Sequence, residues 1–212
     1  MERIQKLIPL IKPYYIKNND PSHDWPHVGR VASSAREMAK HEDASLECLL
    51  ASVYCHDLIN LPKNHPDRKN ASTLSAQEAM PYLEAAGFDP KEIEIISQAV
   101  IEHSFSKGLK PTSIEAAILQ DADRLDALGA IGILRCASVN TIMNCKYYDP
   151  FDPFAEFREL NDKEFMIDHY FVKLFKLPDM MNTLSGKVEG EKRVVMMKDF
   201  LQNLKREIGS GL

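Results

Sequence analysis

The 212-residue chain has little cysteine, little glycine and no excess of positive charge. Its four cysteines, Cys48, Cys55, Cys136 and Cys145, include no C-x-x-C pair. Their spacing therefore gives neither a zinc-finger framework nor a redox pair, and they read as free thiols. Only nine glycines are present, with no Gly/Ser linker between segments. Lysine and arginine number 26 against 31 acidic residues, a net charge of −5. A general nucleic-acid binder would normally be basic, so that class of partner is not expected. No stretch approaches the roughly 20 apolar residues of a membrane span. The opening MERIQKLIPLIKPYYIK has no cleavable leader pattern, so no membrane association is expected and a soluble, cytoplasmic protein is.

What is present is a globular composition, 44% hydrophobic and 27% charged, with helical periodicity. This length is enough to bury a core without disulfides. The expected fold class is all-α. Residues 2–17 carry Ile4, Leu7, Ile8, Ile11, Tyr14 and Tyr15 at helical spacing, and Pro9 and Pro13 are expected to kink or split the segment. A loop at Asn18–Asp24 precedes a helix from about Pro26, with a stripe of Val28, Val31, Ala32, Ala35, Met38 and Ala39. A third helix runs from about Ser45 to Leu58 on Leu46, Leu49, Leu50 and Val53. The Pro- and Asn-rich NLPKNHPDRKN follows as a loop.

The fourth helix, about Ser72–Ala86, stops at Gly87. The fifth opens on a capping box of Asp89 and Glu92, and the sixth on Thr112 and Glu115 at the same spacing. The sixth is apolar on nearly every face through Leu134, which places it at the centre of the fold. From Asn140 to Asn161 the pattern breaks into KYYDPFDPFAEFREL, an aromatic stretch that can serve as lid, ordered loop or homodimer contact. Two further helices are expected at 162–176 and 190–207. The domain expectation is one unit over 1–212, with a core of about 20–175 and a helical extension over 176–212.

Extending the apolar stripes exposes the chemistry. Val53 plus three and plus four gives His56 and Asp57, two ionisable groups on the inward face of a helix end. Buried unpaired they would be costly, so they require partners or a metal. Ile93, Ile96 and Val100 lead by the same steps to His103, and His27 lies one turn before Val31. The sixth helix sets Asp121, Asp123 and Asp126 among apolar runs, carboxylates that repel unless cations neutralise them. A lone histidine on an apolar face is more often a hydrogen-bonded core residue, and the His-Asp pair recurs at His23–Asp24. The argument comes from the coincidence of all these groups where a core is expected. His27, His56, Asp57 and one central aspartate make a two-nitrogen, two-oxygen set suited to a divalent ion, Mn²⁺ first, with Mg²⁺, Co²⁺, Ni²⁺, Fe²⁺ and Zn²⁺ also admissible. Without cysteine ligands, a closed structural zinc site is disfavoured.

The order H…HD…D on successive helices resembles the HD-domain metal-dependent phosphohydrolase superfamily. Three strings carry the likeness: SHDWPHVGRV (22–31), YCHDL (54–58) and DADRLDALGAIGI (121–133). Together they are similar to the small bacterial subfamily that includes nucleotide pyrophosphohydrolases, over roughly residues 20–175. The resemblance implies a five-helix core around a metal held by His27, His56, Asp57 and Asp123. The stripe Ile114, Ile118, Asp121, Leu125 favours Asp121 instead of Asp123; on a helix apolar all round the motif is the better guide. Dinuclear members and the superfamily's oxygenases use extra histidines between the HD pair and the last aspartate. Only His65 and His103 lie there, and His65, in a Pro-flanked loop, reads as exposed, which favours one metal and hydrolysis.

The implied reaction is attack of metal-activated water on phosphorus. Asp126, one turn from Asp123, is the candidate to orient or deprotonate that water, an ion pair with an arginine being its other role. Arg30, one turn after His27, is the candidate cation at the reacting phosphate. His103, Lys107 and Asp24 are candidates for binding a small phosphorylated substrate, expected to be a nucleotide. Lys63, Arg68 and Lys69 read as solvated charges. Trp25 can pack on a base or in the core. The competing functions are nucleotidase or phosphodiesterase, and a metal- and nucleotide-binding regulatory module without turnover.

Overall fold

The structure, a computed structural model, describes residues 1–17, 22–61 and 65–209. Among these residues it is all-helical, with no strand and one isolated bridge between Lys146 and Phe165. The chain divides into two compact units, Met1–Asp123 and Arg124–Leu212. This division falls inside a helix, well before the extension anticipated at residue 176.

In the first unit, α1 (Glu2–Lys17) buries Ile4, Leu7, Ile11 and Tyr15. The anticipated kink at Pro9 and Pro13 does not divide it: the helix is continuous. The two prolines are four residues apart on the exposed face, as is Gln5. The carbonyls of Gln5 and Pro9, which lose their amide partners, therefore lie on the side open to water. Helix α2 (Trp25–Met38) buries the expected stripe from Val28 to Met38. Helix α3 (Leu46–Cys55) is buried at every position from Cys48 to Cys55, while Leu46, expected inside, is exposed. It is packed by α1, α2 and α5 (Pro90–Glu102), and α5 in turn lies along α4 (Ala71–Ala86). Arg3 ties α1 to the rest, bonding Glu47 of α3 at 2.9 Å and Glu92 of α5.

The helix ends follow local chemistry. Asp89 and Glu92 form the expected capping box. Gly87 closes α4 at φ +92°, in the left-handed region. The anticipated Thr112–Glu115 box does not form, because buried Glu102 takes both the amide and the hydroxyl of Thr112 at 2.9 Å. Ser113 caps α6 (Ile114–Asp126) instead, accepting from the Ala116 amide at 3.1 Å. Glu115 is drawn away to the Ser45 amide at 2.8 Å.

The sixth helix also ends earlier than its apolar run. It stops at Asp126, and α7 (Gly129–Ile142) starts on Gly129 at φ +73°. Gly132 is required there, since a Cβ would lie 2.3 Å from the Ala127 carbonyl oxygen. In the second unit α7 is packed by α8 (Met166–Val172) and by α9 (Leu184–Ile208), which begins six residues before the expected start. The single helix anticipated over 162–176 is α8 followed by a 3-10 segment, Leu174–Met180. Residues 18–21 and 62–64 of the two expected loops lie outside the described residues.

Gly87 has open space where a Cβ would go, so its cost on substitution is conformational alone. Gly87→Ala is expected to destabilise the chain by about 1 kcal/mol. An unchanged urea midpoint would contradict the left-handed cap.

Candidate metal centre

The site is built where helices of the first unit end. His56 is the C-terminal cap of α3, and its Nδ1 donates to the Val53 carbonyl at 2.7 Å. His103 caps the C-terminus of α5 in the same way, with Nδ1 donating to the Val100 carbonyl at 2.6 Å. Each bond fixes the ring and the tautomer, so that Nε2 presents a lone pair. The two rings meet edge to face with centroids 4.9 Å apart. Both Nε2 atoms address Asp57: His56 lies 3.3 Å from Oδ2 and His103 lies 3.6 Å from Oδ1.

His27 enters from the first turn of α2. Asp24 caps that helix by accepting from the His27 amide at 2.9 Å, which seats the residue. The fully buried His27 Nε2 lies 3.2 Å from His56 Nε2, 3.9 Å from Asp57 Oδ2 and 3.6 Å from Asp123 Oδ1 of α6. Donor atoms from α2, the end of α3 and α6 thus converge, His27 Nε2 lying within 3.2–3.9 Å of an atom on each of the other three residues. Ligands at right angles on a cation with bonds of about 2.1 Å are about 3 Å apart, so His27, His56 and Asp57 fit a divalent ion as they stand, and Asp123 adjoins them through His27. His27, His56 and Asp57 form the tightest part of the set.

The electrostatics agree. Burial alone would lower the His56 pKa, but the Asp57 charge and hydrogen bond, with help from Asp123 and the Val53 carbonyl, raise it to about 9. Burial would raise Asp57 and Asp123; instead the histidines hold both carboxyls below their ordinary range, Asp57 well below. Without a metal, the proton on His56 Nε2 is the cation that keeps the carboxylates together.

The other expected residues are placed as follows. Asp121 is fully buried, two residues from the aspartate that reaches His27. Asp126, in the second unit, is buried and forms an ion pair with Arg135, the structural role weighed for it. Arg30 is half-buried one turn after His27 and has partners of its own. Lys107 sits in a 3-10 turn (Phe105–Lys107), half-buried, donating to Thr73; burial lowers its pKa. Arg68 is spent on Asn60 at 2.8 Å, His65 is exposed, and Lys63 lies outside the described residues. Trp25 is a packing residue, stacked on Tyr54 with centroids 5.8 Å apart. That stack adjoins the Tyr15 hydroxyl, which donates to the Tyr54 carbonyl at 2.8 Å.

Two contributors were not anticipated. His23 brings Nε2 within 3.9 Å of Asp57 Oδ2. Its signals in the sequence are its place four residues before His27 and the second His-Asp pair it makes with Asp24. Glu102, adjoining His103, accepts from Gln98 and Thr112, while Gln120 donates to the Glu102 and Leu109 carbonyls at 2.9 and 3.0 Å. These bonds pin both ends of the segment that follows His103.

A helical unit with this His and His-Asp arrangement is that of an HD domain, and the chain belongs to the HD-domain family. The family model matches residues 25–128, which include all four candidate ligands. The chain is similar to YpgQ of Bacillus subtilis (strain 168), with 31% identity over 197 residues, 91% of this chain and 88% of the relative. The crystal structure of YpgQ in complex with ADP matches with a TM-score of 0.77 at 27% identity, over 98% of this chain and 96% of that one. An HD-superfamily hydrolase from Bacillus thuringiensis matches with a TM-score of 0.75 at 28% identity, over 97% and 96%.

Metal and proton compete for His56 Nε2. At pH 7 His56 is protonated in the metal-free site, so binding of Mn²⁺ is expected to release about one proton from it, and the apparent affinity to rise about tenfold per pH unit until pH about 9. Calorimetry in buffers of different ionisation enthalpy measures the release. Binding independent of pH between 7 and 9 would contradict this assignment.

Proposed function

We propose that the chain is a divalent-metal-dependent phosphohydrolase acting on ribo- or deoxyribonucleoside triphosphates, with monophosphate and pyrophosphate as products. The observation that carries this reading is the convergence of His27, His56, Asp57 and Asp123 within the HD domain. Kinship to HD-superfamily hydrolases supports hydrolysis, and kinship to YpgQ, whose structure holds ADP, supports a nucleotide substrate. The four residues would hold the cation, for which Mn²⁺ is the first choice among the ions their donor set suits. A divalent cation there supplies Lewis acidity at a phosphoryl oxygen and lowers the pKa of bound water.

The chain's own groups do the rest. His103, whose Nδ1 donates to the Val100 carbonyl, turns Nε2 toward Asp57 at 3.6 Å. Attack of water at the α-phosphorus breaks the bond to pyrophosphate, and His103 takes the water's proton. Asp126, whose carboxylate is given to Arg135, holds the helix end instead of the water. Arg30, one turn after His27, and Lys107, four residues after His103, would neutralise phosphate oxygens. Asp24 acts through His27, keeping its helix end capped.

The test is incubation of Mn²⁺-loaded protein with a panel of nucleoside triphosphates, followed by ion chromatography. Pyrophosphate and monophosphate in equal amounts, absent with His56→Ala, is the expected result. Phosphate alone would move the protein to the phosphatases. No product from any triphosphate, with metal bound, would overturn the reading in favour of a binding module. His103→Gln is expected to lower kcat by about 10²- to 10⁴-fold with metal stoichiometry unchanged. An unchanged kcat would remove His103 from proton transfer.

A further inference from the structure

The turn that carries the His56–Asp57 pair begins where α3 runs out of backbone partners. A helix leaves the carbonyls of its last turn without helical amides to accept from. At the end of α3, side chains take two such carbonyls. His56 Nδ1 donates to that of Val53 at 2.7 Å, and the Tyr15 hydroxyl, from α1, donates to that of Tyr54 at 2.8 Å. The Asp57 amide is turned to the same Tyr15 oxygen. A hydroxyl donates once and accepts as well, so Tyr15 can serve both groups together. It thereby joins the carbonyl of residue 54 to the amide of residue 57, the pair that a 3-10 turn closes directly. His56 lies inside this bridge and Asp57 at its end.

The ring that carries the hydroxyl is held by packing. Tyr15 is 1% exposed and continues the buried face of Ile4, Leu7 and Ile11. Its ring centroid lies 5.9 Å from that of Trp25, the planes tilted by 52°, and Trp25 in turn stacks on Tyr54. Trp25 stands two residues before His27 and Tyr54 two before His56, so the three rings tie α1 to both histidine segments. Burial, with the Asp57 carboxylate nearby, holds the Tyr15 phenol well above its ordinary pKa, so it keeps its proton and its role as donor. Helix α1 lies outside residues 25–128, which match the family model, so this contact comes from beyond the segment that supplies the ligands. Tyr14, its neighbour in the chain, directs its hydroxyl to Glu78 and Tyr82 of α4 instead, the latter at 2.7 Å, and α4 supplies no candidate ligand.

We propose, on the reading of His56 and Asp57 as metal ligands, that Tyr15 is a positioning residue of the metal centre, its hydroxyl setting the turn from which both side chains reach the cation. A hydrogen bond that orients ligands without touching the ion still governs affinity for the ion, by about 10- to 100-fold.

The test is titration of Mn²⁺ into the whole chain, with free Mn²⁺ read by its solution electron paramagnetic resonance signal. The wild type is expected to bind one ion and His56→Ala none. Tyr15→Phe, which keeps the ring and removes the hydroxyl, is expected to bind about 10- to 100-fold more weakly. Tyr14→Phe also loses a bond between helices, so its urea midpoint should fall, but its Mn²⁺ affinity should equal that of the wild type. Wild-type affinity in Tyr15→Phe would overturn the proposal and leave the ligand assignment standing. Equal losses in Tyr14→Phe and Tyr15→Phe would overturn it too, as a general loosening of α1. A wild type that binds no Mn²⁺ would overturn the ligand assignment and the proposal with it. Should Tyr15→Phe fail to fold, nuclear magnetic resonance of the wild type decides. A slowly exchanging Tyr15 hydroxyl proton with a cross-peak to the Asp57 amide is expected, and its absence would sink the proposal.

Discussion

Two carboxylates and two imidazoles cannot share a few ångströms of buried space without a positive charge between them. That constraint organises the first unit. His27 and His56 are fully buried, their Nε2 atoms are 3.2 Å apart, and Asp57, beside His56 at the end of α3, and Asp123 of α6 close on them. The chain meets the requirement with a proton on His56, whose pKa rises to about 9, or with a divalent cation. An apolar core of equal size would pack with less difficulty, so the presence of these four groups together argues for a site instead of a device of stability.

The surrounding fold is arranged to present those atoms. Helices α3 and α5 each end on a histidine whose Nδ1 is tied to the carbonyl three residues earlier, and both aim Nε2 at Asp57. Asp24 seats His27 by capping α2, and Glu102 with Gln120 secures the segment beyond His103. The cap residues thus have the role that ordered carboxylates and carbonyls have in metal proteins generally, orienting ligands without touching the ion.

How much of this is legible in the sequence depends on periodicity. His56, Asp57 and His103 continue apolar stripes, so the inward face is readable to its polar end. Asp123 is not read that way: on α6, where Glu115 to Ala122 are all buried, the stripe points to Asp121, and only the resemblance selects Asp123. His23 escapes because it precedes the cap of α2, where no helical period applies. The break between α6 and α7 is hidden by apolar residues on both sides, with Gly129 as its single marker. Pro9 and Pro13 mislead for the opposite reason: their local penalty is met by solvent on the exposed face of α1. Glu102 is invisible because its partners, Thr112 and Gln120, come from later elements.

The most direct measurement is anomalous diffraction at the manganese edge from crystals grown with Mn²⁺. The account predicts one strong peak per chain, with His27 Nε2, His56 Nε2 and a carboxylate oxygen each of Asp57 and Asp123 at bonding distance. No peak among these residues, or a peak that omits His27 or Asp123, would contradict it.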